Sequence, residues 1–267
     1  MSLAPTESHS MDSFNPEHPP LTVAPAERSR RVWQFWGAVL WGLFIFAAMF
    51  VGQIAVIAYL VARQGFPIDI GKAVQTVGGG LTIALSVVMG LPAVLAATWL
   101  ATHFARVPFA EYLALRWTSW KNVLLAAVGL AVIVMAWDLM SRATGREITP
   151  GFMVDVFKTA RAEGVVWLLV LAFCVAAPIS EEIFARGFLY RALSDTFLRV
   201  PGAIVLSSLA WTSLHLQYDW YFFGEVFCIG LWLGYMRYRS GSTWLTIVIH
   251  GLNNFAAVMQ TVYLAGQ

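Results

Sequence analysis

The sequence predicts an all-α fold, a polytopic transmembrane helical bundle of about seven to eight spans. Hydrophobic residues make up 59% of its 267 residues and charged residues only 12%, against averages of about 45–50% and about 25% for soluble domains. Mean hydropathy is +0.68. The apolar residues also fall into runs long enough to cross a bilayer, divided by short polar connections. Such a composition excludes an ordinary soluble domain. The formal net charge of +2 gives no basis for nucleic-acid binding, because in a membrane protein the placement of charge matters more than its sum.

Residues 1–30 hold five prolines among scattered Ser, Thr and acidic residues and show no hydrophobic period. They read as a disordered tail, not a signal peptide, and residues 31–267 as the membrane domain. The first span covers about residues 32–62, where no charge occurs, with Trp33, Trp36, Trp41 and Tyr59 placed for an interfacial aromatic belt. A second covers about 74–101. Its Gly78, Gly79, Gly80 and Pro92 are breakers that packed membrane helices tolerate, and the glycines suit close helix contact better than phosphate binding. A third span covers about 122–140 and places Asp138 near its end, where it reads as an interfacial charge. Phe152, Val156 and Ala160 recur at helical spacing within 141–163, the pattern of a short amphipathic surface helix. Further spans cover about 201–217, 220–238 and 243–264. Cys174 and Cys228 both lie in apolar segments and read as small buried hydrophobes, not a disulfide or metal pair.

With seven spans the termini lie on opposite sides. One side, with the tail, collects eleven Lys and Arg and the other six. The positive-inside rule therefore puts the N-terminus in the cytoplasm of a bacterial-type inner membrane.

The run 165–190 is apolar except for Glu181, Glu182 and Arg186. Ionisable residues at membrane depth are costly and mark function by default. On a helix Glu182 and Arg186, four apart, can pair, while Glu181 is rotated about 100° away and left available. Two further clusters recur at four-residue spacing, Trp211 with His215 and His250 with Asn254. Each alone has a bland reading as a packed histidine or as helix–helix glue. Depth joins them. The fourth span either stops at Ser180 or continues to about residue 193. In the longer version, with a turn over 195–200, Glu181 and His215 both lie about 20 Å from one membrane face, with His250 about 12 Å and Asn254 about 18 Å deep. The shorter version puts Glu181 and His215 at opposite faces, so the longer helix is preferred.

A carboxylate, two imidazoles and an amide in one walled cavity form a hydrolytic set. The carboxylate with a histidine can take a proton from water, and a histidine with an asparagine can stabilise an oxyanion. GxSxG and HExxH are absent, which favours activated water over an acyl-enzyme or a zincin.

These residues also carry a resemblance. The chain is similar to the CPBP intramembrane proteases, the CAAX protease and bacteriocin-processing (Abi) family. Its EExxxR motif is matched by Glu181, Glu182 and Arg186, its FxxxH by His215 with Trp211 in place of Phe, and its HxxxN by His250 and Asn254. The resemblance covers about residues 165–264. It implies an intramembrane endopeptidase in which Glu181 and His215 activate water, His250 and Asn254 stabilise the oxyanion, and Glu182 and Arg186 hold the site together. It implies a peptide or protein substrate, lipidated in the CAAX-type members, met within membrane lipid. The family is often labelled a metalloprotease, yet no cofactor is expected here. Zinc among Glu181, His215 and His250 is the lesser alternative, because Asn254 is a poor zinc ligand and no familiar ligand spacing is present. The other class of reading is a non-catalytic immunity factor or a proton-coupled transporter. Buried Glu and His can relay protons, but no inverted repeat supports a transporter.

Overall fold

A computed structural model describes residues 33–65 and 67–265, and among them the chain forms helices and no strand. The tail and its Arg28, Arg30 and Arg31 lie outside the described residues. In chain order the helices are α1 (Phe35–Ala62), α2 (Ile70–Gly78), α3 (Gly80–Ala105), α4 (Phe109–Tyr112) and α5 (Trp120–Thr144). They continue as α6 (Gly151–Ala162), α7 (Val166–Ser194), α8 (Arg199–Thr212), α9 (Trp220–Ser240) and α10 (Thr243–Ala265). Five of these, α1, α3, α5, α7 and α10, are long and apolar enough to cross a membrane. The sequence counts α8 and α9 as spans as well. However, α8 has 14 residues and reaches only about 21 Å, short of a hydrocarbon core of about 30 Å. The hydropathy of α9 is diluted by its Trp, Tyr and Gly residues and by Glu225, Arg237 and Arg239.

Helix α7 stands at the centre. Eight consecutive residues from Ile183 to Tyr190 are buried, so this stretch of the helix is enclosed on every side, as expected where a helix is hydrophobic all round. It runs unbroken through the glutamates to Ser194, which settles the choice between the two versions of the fourth span. Ala172–Ala176 and Ile183–Leu189 are wound as π-helix, a rare geometry that concentrates at functional sites. Below the site, the buried Arg237 of α9 donates to the Arg186 carbonyl at 3.1 Å and to Thr243 Oγ1 at 3.0 Å. That one side chain ties α9 to both α7 and α10.

Four expectations change. The second span is two helices, because Gly79 adopts extended backbone (ψ 148°) between α2 and α3. The break is fixed from α6: Thr159 Oγ1 accepts from Gly80 N (2.9 Å) and Glu163 from Leu81 N (2.8 Å). A carboxylate at a helix N-terminus also meets the positive end of the helix dipole. Helix α6 is amphipathic, but it is clasped against the bundle, with Val156, Phe157 and Ala160 buried in a second apolar cluster with Ala84, Leu168 and Leu169. Finally, α5 continues past Met140 to a left-handed stop at Gly145 (φ 66°), since Ser141 is anchored to Tyr221 at 2.9 Å. Asp138 is therefore inside the helix, where it accepts from Gln260 at 3.3 Å. Cys174 and Cys228 are free and half-buried instead of packed in the core.

The glycine triplet does serve close contact, at Gly80. A Cβ there would lie 2.5 Å from Ala160 Cβ and 2.6 Å from its backbone nitrogen, whereas at Gly78 it would meet nothing within 4 Å. Gly80→Leu should lower the thermal unfolding midpoint in detergent, equivalent to about 1–3 kcal/mol of overpacking, while Gly78→Ala changes it little.

Candidate active site

The two adjacent glutamates of α7 point to different neighbours. Glu182 is fully buried, with one carboxylate oxygen receiving Arg186 Nη1 at 2.8 Å and lying 3.0 Å from His250 Nδ1. Arg186, also fully buried, donates its other terminal nitrogen to the Gly230 carbonyl of α9 at 2.8 Å. Three helices thus share one ion pair. A carboxylate and a guanidinium taken out of water each lose several kcal/mol of hydration, which only close pairing with further hydrogen bonds offsets. The i, i+4 spacing supplies the pair, and α9 and α10 supply the rest.

Glu181 faces the other way. It lines a cavity of about 990 Å³ together with Trp211, His215, His250 and Asn254, whereas Glu182 does not. Its Oε2 accepts from the indole Nε1 of Trp211 at 2.6 Å and lies 3.9 Å from His250 Nε2. With Nδ1 of His250 turned to Glu182, Nε2 is the nitrogen turned to Glu181. His215 sits in a 3₁₀ turn, Ser213–His215, that closes the short α8. Because α8 ends early, the turn lies about 24 Å from the helix start, at a depth near that of Glu181. The His215 ring lies 5.3 Å from Trp211 and 5.6 Å from Tyr218. Its Nδ1 is buried without a hydrogen-bond partner among the described residues. Burial pushes the Tyr218 phenol up, so it stays protonated beside the histidine.

Asn254 arrives for a backbone reason. Pro178 has no N–H, so the carbonyls four and five residues before it, Cys174 and Phe173, lose that donor within the π-wound turn. The side-chain amide of Asn254 donates to the Phe173 carbonyl at 2.8 Å. Gly251, one turn earlier on α10, makes room at Cys174, whose carbonyl oxygen would lie 2.7 Å from a Cβ. One amide hydrogen of Asn254 is thereby engaged and one remains. Ser180, next to Glu181 and lining the same cavity, turns its hydroxyl back to the Ala176 and Ala177 carbonyls, both at 3.0 Å. This is not the posture of a nucleophile.

All six residues singled out from the sequence therefore meet around one cavity wall, four lining it and two behind. The sequence reading passed over the indole N–H of Trp211 and the carbonyls of Phe173 and Gly230. The four-residue spacing from Trp211 to His215 was the available signal for the first. It also passed over Glu225, which lines the cavity together with Asp138. Asp138, read from the sequence as an interfacial charge, thus also faces the cavity. Among the described residues no three His, Cys, Asp or Glu side chains are grouped as a metal site requires, so Glu181, His215 and His250 do not form a fitted zinc cage.

A buried cluster of carboxylate and imidazole groups open to a cavity is an arrangement that hydrolytic chemistry can use. Residues 163–256, which contain every motif residue, match the family model for type II CAAX prenyl endopeptidases (Rce1-like). The resemblance to the CPBP/CAAX protease family, a family of membrane proteases, is borne out over this core, and the apolar helices mark the chain as an integral membrane protein. No curated protein and no solved structure matches the chain.

Breaking the buried pair from one side should be severe. Arg186→Met leaves Glu182 as an uncompensated charge and should cost about 3–5 kcal/mol in detergent unfolding. Adding Glu182→Gln should restore a large part of that loss.

Proposed function

We propose that this protein is an intramembrane endopeptidase that hydrolyses a peptide bond with water activated by Glu181 and His215. The observation that supports the reading is the division between the adjacent glutamates. Glu182 is held by Arg186 and His250, while Glu181 turns its carboxylate to the cavity shared with both histidines. Water bound between Glu181 and His215 gives up a proton to this pair as its oxygen bonds to the scissile carbonyl carbon. The carbonyl electrons move to oxygen, and donors from His250 and Asn254 hold the resulting oxyanion. Collapse breaks the C–N bond, and the stored proton passes to the leaving amine. With Nδ1 bonded to Glu182, Nε2 is the His250 nitrogen that faces Glu181 and the cavity. No step passes through a metal.

The substrate is a peptide or protein reached within the membrane, and the size and largely apolar walls of the cavity suit one carrying a lipid chain. The positive-charge distribution supports a cytoplasmic N-terminus in a bacterial-type inner membrane.

Mass spectrometry of membrane peptides from cells carrying wild-type or Glu181→Ala protein tests the activity. Fragments should appear with the wild type and vanish in the variant. Purified protein reconstituted with a substrate found in this way should lose about 10²–10⁴-fold in rate with Glu181→Gln and keep its rate after rigorous chelation. Uptake of a solute with proton movement, and no fragments, would instead indicate a transporter.

A further inference from the structure

Among the described residues Glu181 accepts one side-chain hydrogen bond, and it comes from Trp211. The indole Nε1–H reaches Glu181 Oε2 at 2.6 Å. The rest of that indole is unusually constrained. It is 2% exposed. The guanidinium of Arg186 lies 4.6 Å over its ring, and the rings of His215 and His250 meet it edge-on at 5.3 and 5.2 Å. Room for it is left by Gly230, where a Cβ would press to 3.1 Å on the indole Cε3. The same Gly230 carbonyl receives Arg186. The Glu182–Arg186 pair therefore fixes the indole face, and the indole edge in turn fixes the carboxylate of Glu181.

We infer that Trp211 is a positioning residue whose indole N–H holds the Glu181 carboxylate in the orientation that activates water. The inference rests on the reading of Glu181 as the base. It assigns Trp211 a polar task beyond packing. With Oε2 engaged by the indole, Oε1 is left as the oxygen for water. Without the N–H the carboxylate regains rotation about its last torsions, which are broad and weakly restrained in glutamate. The reacting geometry loosens while the cavity walls that bind substrate stay in place.

Trp211→Phe keeps a ring beneath Arg186 and removes the donor. It should lower kcat about 10–100-fold, the scale of an ångström-sized misplacement, with KM within about twofold. Gly230→Ala crowds the indole by a few tenths of an ångström and should give a weaker form of the same signature, which covers the case of a poorly folded Trp211→Phe. An arm independent of cleavage uses full-length protein with ¹⁵N-labelled indoles in nanodiscs. The Trp211 indole resonance, identified by its loss in Trp211→Phe, should move upfield in Glu181→Leu as its acceptor disappears. An unmoved resonance, or an unchanged kcat in folded Trp211→Phe, overturns the positioning role. If wild-type protein cleaves no membrane peptide although the resonance moves, the hydrogen bond stands and the catalytic reading of Glu181 is what fails.

Discussion

The buried ion pair between Glu182 and Arg186 is the constraint around which the site is arranged. Two fully buried charges on the central helix are tolerable in a membrane protein only when their hydrogen-bonding capacity is met by surrounding helices. α10 brings His250 to Glu182, and α9 brings the Gly230 carbonyl to Arg186. Each contact orients a group that also faces the cavity. His250 presents Nε2 toward Glu181 because Nδ1 is held behind it. Trp211 presents its N–H because Arg186 covers its ring. Removing the pair would therefore take away the registration of the site as well as stability.

A second constraint concerns the backbone. Proline within a membrane helix orphans carbonyl groups that lipid cannot satisfy, and a neighbouring helix must supply donors. Here the supply comes from Asn254 at Phe173, and Gly251 allows α10 to approach Cys174. The same turn that repairs the helix brings α10 against α7 about two turns before Glu181. The short α8 completes the arrangement. Ending after Thr212, it delivers His215 into the interior on a 3₁₀ turn, with the protonated phenol of Tyr218 beside it.

The cavity is walled largely by apolar side chains from α1, α3, α5 and α6, yet three carboxylates, Glu181, Asp138 and Glu225, line it and, among the described residues, no lysine or arginine does. Glu181 lies against the two histidines. Asp138 and Glu225 come from α5 and α9 and are met by Gln260 of α10 at Asp138. The chamber thus joins a polar wall of carboxylates and histidines to a largely apolar volume.

The hydrophobic runs alone determined that this chain is a helical membrane protein, because apolar length and charge exclusion are properties of a segment read by itself. The four-residue spacings likewise determined the pairing of Glu182 with Arg186 and the shared faces of Trp211 with His215 and His250 with Asn254, since helical geometry carries such relations directly. The depth argument placed Glu181, His215, His250 and Asn254 near one level, and the unbroken α7 agrees with it. Tertiary structure decided the rest. The break at Gly79 depends on Thr159 of α6 and on Glu163 just after it, about 80 residues downstream. The place of Asp138 depends on where α5 stops and on Gln260 of α10. That Trp211 donates to Glu181, and Asn254 to Phe173, depends on how α8 and α10 lie against α7. Spacing within a segment fixes which side chains share a face, but only packing between segments fixes what that face meets.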